Sequence, residues 1–162
     1  ISRAVEPAEQ ALLEVELHEK SPPLLVHYIQ PGRGLSSRLL SRAVGLGGEV
    51  LMSVHFYEFF DEDATMKVAH AVEDRGADIV KIVNGSYTED QMYANINIIH
   101  RMKKELHAKF LFLANGKYSK LIRLFGPQLG VCTYLCVQSY RPINSKEQPK
   151  LRATKAIRDN IN

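Results

Sequence analysis

Lys81 lies inside Asp-Ile-Val-Lys-Ile-Val, an otherwise apolar run over residues 78–83. An ammonium buried in such a run is costly unless it is paired or deprotonated. A desolvated lysine is a nucleophilic amine, the group that condenses with a carbonyl compound to form an imine. The alternative is a lysine that pairs with a carboxylate across the sheet or reaches water at the strand end. His55 closes the preceding apolar run, Glu49 to His55. A neutral imidazole there can move protons near pH 7, or it can simply bond a loop carbonyl. Glu14 and Glu16 alternate on an earlier segment and so share a face. One of them could orient His55, or the pair could satisfy basic groups such as Lys81. Ser145 and Gln148, ahead of the last predicted helix, offer hydrogen bonds to a polar substrate. His18, His27, His70, His100 and His107 show no metal-ligand spacing, so no metal site is expected.

The elements that position these groups follow from apolar periodicity. Residues 11–17 alternate with carboxylates and read as a short strand. Residues 18–34 hold Pro22, Pro23, Pro31, Gly32 and Gly34 and read as a loop, with room for a short strand from Leu24 to Ile29. Ser36-Ser37 can cap a helix over about 37–45. Buried strands are expected over 49–55, 77–83, 109–114 and 131–137. Between and after them, helices are expected from Asp61 or Asp63 to Arg75, from Thr88 to about His107, over 118–125 and over 151–160. Strands alternating with helices predict an α/β fold with a parallel sheet and helices outside it. Chemistry in such folds gathers at the carboxyl ends of the strands, where Glu16, His55, Lys81 and Asn115 fall. Consecutive parallel strands are usually neighbours, so Lys81 and His55 can converge on one pocket.

Composition narrows the class. The chain has 162 residues, 45% hydrophobic and 24% charged, which suits one domain and excludes a disordered or fibrous chain. A net charge of +3 is too weak a footprint for a dedicated nucleic-acid binder, and the basic tail from Lys146 to Arg158 reads as a solvated helix end. No apolar run approaches the roughly 18 residues of a membrane span. Cys132 and Cys136 are expected to be buried and reduced, pointing to a cytoplasmic or organellar-matrix compartment. The first residues, Ile1-Ser2-Arg3, lack both an initiator Met and a signal peptide's apolar stretch, as in a processed product or a piece of something longer.

Several stretches resemble one family, the type I 3-dehydroquinate dehydratases. Val50 to His55 is similar to the family strand carrying the acid/base histidine, and Gly76 to Ile82 to the segment carrying the Schiff-base lysine. Gly116-Lys-Tyr-Ser-Lys120 with Phe125-Gly126 resembles the family's Gly-x-x-Ser-Arg and Phe-Gly pair. Residues 145–149 resemble its mobile closing loop, and 12–17 the strand whose acidic residue supports the histidine, here Glu14. The resemblance spans about residues 10–160. It implies part of a (β/α)8 barrel, one domain over 1–162 with residues 18–34 inserted as a loop, and the first three β/α units missing. It implies a hydro-lyase that turns 3-dehydroquinate into 3-dehydroshikimate and water, with Lys81, His55 and Glu14 catalytic and no cofactor. Lys120, Ser145 and Gln148 would then bind the small carboxylate substrate.

Three departures stand beside these matches. Lys120 replaces the arginine that grips the substrate carboxylate, with Arg123 one turn later as the other candidate. Glu147 replaces the glycine before the loop glutamine and would repel an anion. The missing units require another chain or segment to complete the barrel. These departures keep open a second reading, a catalytically degenerate relative serving as a structural or binding part of a larger assembly.

Overall fold

A computed structural model of the chain describes residues 15–16, 24–28, 49–140 and 146–161. Its elements run β1 (Val15–Glu16), β2 (Leu24–Tyr28), β3 (Glu49–His55), α1 (Glu62–Glu73), β4 (Ile79–Gly85), α2 (Glu89–Glu105), β5 (Lys109–Asn115), α3 (Ser119–Leu129) and α4 (Leu151–Ile161). The five strands form one sheet in chain order. From β2 to β5 every pairing is parallel, and β1 runs antiparallel to β2. On the side away from β4, β3 pairs with the short strand within residues 18–34, and the segment predicted over 11–17 pairs antiparallel with that strand. The helix expected over 37–45 lies outside the described residues.

The helix limits follow local chemistry. Asp61 caps α1, its Oδ1 accepting from the Ala64 N–H at 2.8 Å. Thr88 caps α2 reciprocally with Gln91: Oγ1 accepts from the Gln91 N–H, and Gln91 Oε1 accepts from the N–H groups of Thr88 and Tyr87. Side chains alternate across a strand, so β3, β4 and β5 each present two faces. The even-numbered set meets the helices: Met52, Val80, Ile82 and Phe112 are wholly buried, as are Ala69, Ile98, Ile99 and Met102 on α1 and α2. Removing one such large side chain costs about 3–5 kcal/mol.

One amide pair fixes this layer to the strand ends. Asn84, at 0% exposure, donates to Asn95 Oδ1 on α2 at 2.9 Å and to the Phe60 carbonyl at 2.8 Å. Its Oδ1 accepts from the N–H groups of Phe60 and Gly85, while Asn95 donates to the Gly85 carbonyl. The loop after β3 is thereby bonded to the end of β4.

The segment 131–137 departs from expectation. Only the Cys132 N–H pairs with β5, at the Phe110 carbonyl, and Val137 forms a single parallel bridge with Lys150. The Val131 N–H instead closes the end of α3 on Gly126. An apolar run becomes a strand only if a ladder continues along it, and here the chain leaves β5 after one bond. Cys132 is consequently exposed on the outer flank of β5 and Cys136 only partly buried; both are free thiols.

Candidate functional site

Register decides what the odd-numbered face assembles. Ser53 is the Cα partner of Lys81, His55 of Val83, and Lys81 in turn of Leu111. Paired residues of parallel strands point to the same side, so Ser53, His55 and Lys81 share one face, with His55 nearer the carboxyl end. Lys81 is 8% exposed and His55 half-buried.

A third basic group reaches this end from α3. Arg123 is 6% exposed; its Nε donates to the Ala114 carbonyl at 3.0 Å and its Nη2 to Asn115 Oδ1 at 3.3 Å. Its Nη1 is buried with no hydrogen-bond partner among the described residues. Lys120 is exposed on the same helix, its Nζ 5.7 Å from the centre of the Tyr140 ring. The structure thus brings Arg123, rather than Lys120, beside Lys81 and His55.

Burial sets the protonation states. Desolvation, then the Arg123 charge, lowers the Lys81 amine from 10.5 to about 8. Desolvation first, then Lys81 and Arg123, lowers His55 from 6.5 to about 4. At pH 7 the imidazole is neutral and roughly a tenth of the amine is unprotonated, against about one part in three thousand for a free lysine. A neutral amine beside a neutral base is the combination that imine chemistry needs.

The remaining predicted residues divide. Glu14 and Ser145 lie outside the described residues. Gln148 is half-buried, its carbonyl accepting from the Tyr140 hydroxyl at 3.1 Å. Its neighbour Glu147 reaches the turn between β5 and α3, where Oε1 accepts from the Gly116 N–H at 2.6 Å. Gly116 holds φ of 98°, with Tyr87 packed where a Cβ would stand, so this turn needs glycine.

No cluster of His, Cys, Asp and Glu among the described residues could hold a metal ion. An open hollow of about 560 Å³ lies at the amino ends of the strands, lined by Glu49, Glu73, Asp78 and Lys109 among others. Its polar groups already serve the fold: Lys109 pairs with Glu49 at 2.6 Å, and Glu73 accepts from the N–H groups of His107 and Ala108. No described helix is long and apolar enough to cross a membrane.

Comparison with solved structures gives the same architecture in three bacterial enzymes. The 3-dehydroquinate dehydratase of Geobacillus kaustophilus HTA426 superposes with a TM-score of 0.74 at 15% identity, covering 85% of this chain and 53% of its own. That of Enterococcus faecalis gives 0.71 at 12% identity, covering 86% and 54%. The type I enzyme of Clostridium difficile, carrying covalently modified comenic acid, gives 0.68 at 14% identity, covering 76% and 48%. The chain therefore spans about half the length of these structures, and the fold it shares with them is part of a barrel. A search of curated protein sequences finds no match. The family model for type I 3-dehydroquinase matches residues 11–158, nearly the whole chain, and with that match the chain belongs to the type I 3-dehydroquinase family.

Proposed function

We propose that this chain is the Schiff-base half of a 3-dehydroquinate dehydratase. The observation that carries the reading is Lys81, buried on β4 with its amine lowered to about 8, on the same face as a neutral His55 one strand away. The unprotonated Lys81 amine adds to the C3 carbonyl of 3-dehydroquinate, and loss of water gives the imine. His55 removes a C2 proton, the C–H electron pair flowing into the protonated imine, and then gives that proton to the departing hydroxyl, which leaves as water. Hydrolysis of the imine releases 3-dehydroshikimate and restores the amine, for a net loss of one water. Arg123 supplies the charge for the substrate carboxylate, and its planar fork suits that group better than Lys120 would. Glu14, Ser145 and Gln148 keep the supporting roles that family resemblance gives them.

The substrate is a small carboxylate, and the rest of the barrel comes from another chain or a further segment. The free cysteines fit a reducing compartment, cytoplasmic or organellar matrix. Borohydride reduction in the presence of 3-dehydroquinate tests the chemistry. A mass increase confined to the peptide containing Lys81, and lost in Lys81→Met, is expected. The Glu147 carboxylate seated on the Gly116 N–H favours a second reading, a catalytically degenerate component of an assembly. Neither adduct nor turnover, measured with the barrel completed, would establish that reading instead.

A further inference from the structure

Two donors serve the end of β5: the Gly116 N–H on the β5–α3 turn, and Arg123 Nη1 from α3, buried with no hydrogen-bond partner among the described residues. Glu147 takes the first at 2.6 Å. Burial lowers the Arg123 pKa, and the Glu147 charge opposes that shift. The strap carrying Glu147 is anchored at its other end: the Val137 N–H donates to the Pro149 carbonyl, the Leu151 N–H donates to the Val137 carbonyl, and Lys150 Nζ lies 5.1 Å from the centre of the Tyr140 ring. Residues 146–149 therefore run from a fixed point on the outer flank to the β5–α3 turn, with a carboxylate as the fastening.

We propose that Glu147 is an internal competitor for an anion at the carboxyl end of the sheet, fastening the strap to Gly116 and setting how tightly an incoming carboxylate binds beside Arg123. Ligand and Glu147 carry the same charge and seek the same donors. Binding must then either detach Glu147 from Gly116 or tolerate like charges in a poorly screened site, and both weaken it. Anion affinity in this chain is thus tuned by one residue of the strap. This deepens the proposed function, resting on the reading of Arg123 as the group that takes the substrate anion.

The test uses the full chain and inorganic phosphate as probe, so it needs no carbonyl chemistry. A failure to trap Lys81 would leave its result unaffected. Phosphate affinity is measured by calorimetry for the native chain and Glu147→Gln, each with Arg123 intact or as Arg123→Gln, while the Gly116 amide is followed by NMR. Glu147→Gln keeps an oxygen acceptor for Gly116 but removes the charge. Roughly tenfold tighter binding is expected in Glu147→Gln with Arg123 present, from removal of a like charge at the site, and less than twofold with Arg123→Gln. In the native chain, phosphate should also move the Gly116 amide resonance. Equal affinities for the native chain and Glu147→Gln would overturn the proposal. So would the same gain in both Arg123 backgrounds, a Gly116 resonance indifferent to phosphate, or no phosphate binding by any form. Glu147→Gly serves as a second variant should Glu147→Gln disturb the strap.

Discussion

Replacing Lys81 with methionine keeps an unbranched side chain of similar length and removes the charge. Its amine titrates at about 8 in the folded chain against an ordinary 10.5. At pH 7 both the folded and the unfolded chain carry the proton, so the folded state bears the full cost of the shift. That cost is about 3 kcal/mol, since each unit of pKa corresponds to 1.36 kcal/mol. With Lys81 only 8% exposed, solvent screening removes little of it. Lys81→Met should therefore be more stable at pH 7, by up to about 3 kcal/mol in denaturant unfolding. The sign also fixes the pH dependence. Between pH 8 and 10.5 the folded chain has lost the Lys81 proton while the unfolded chain keeps it, so native stability rises with pH. The advantage of Lys81→Met should shrink across that window and vanish above it. If the variant is no more stable at pH 7, or its advantage stays constant from pH 8 to 10.5, Lys81 is not the desolvated amine that the mechanism requires.

Three further outcomes are expected. Asn84→Ala removes four hydrogen bonds joining β4, α2 and the loop after β3, and should cost about 3 kcal/mol in denaturant midpoint measurements. Gly116→Ala should cost about 1–3 kcal/mol, because its φ of 98° disfavours a side chain and the new Cβ would stand 2.6 Å from the Tyr87 ring; adding Tyr87→Ala should restore part of that loss. Arg123→Lys should raise KM for 3-dehydroquinate by at least about tenfold in the completed enzyme, through loss of the planar fork, whereas Lys120→Ala should leave KM within about twofold because that side chain is exposed.

What the sequence made legible was local. Asp61 and Thr88 announce their helices because a cap and its amide partner lie within three residues of each other. β3, β4 and β5 are legible because burial on both faces turns each into an apolar run, and against such a run Lys81 stands out. Val131 to Val137 carries the same apolar signature, but whether it becomes a strand depends on a ladder with residues elsewhere in the chain, which no run reveals. The choice between Lys120 and Arg123 could have been made from helix phase. Ser119, Ile122, Arg123 and Gly126 are the buried positions of α3, spaced as an inward stripe, and Lys120 lies off it. Glu147 stood out as a misplaced charge, but its contact with Gly116 left no trace, since the two lie 31 residues apart and neither marks the other.

Lys81 and Arg123 together set which cation at this end of the sheet gives up its proton more readily. Two positive groups brought to one buried end repel each other, and the group that gives up its proton more readily relieves the strain. Arginine is effectively always protonated, so the concession falls to lysine. Burial does most of the work on Lys81, and the Arg123 charge adds to it in the same direction. His55 responds likewise, held neutral by burial first and by the two cations after it. A carboxylate arriving at Arg123 would cancel part of that influence and let both groups hold protons more readily. In the proposed mechanism that carboxylate arrives with the substrate, so it works against the free Lys81 amine during attack and favours the protonated imine and proton return by His55 afterwards.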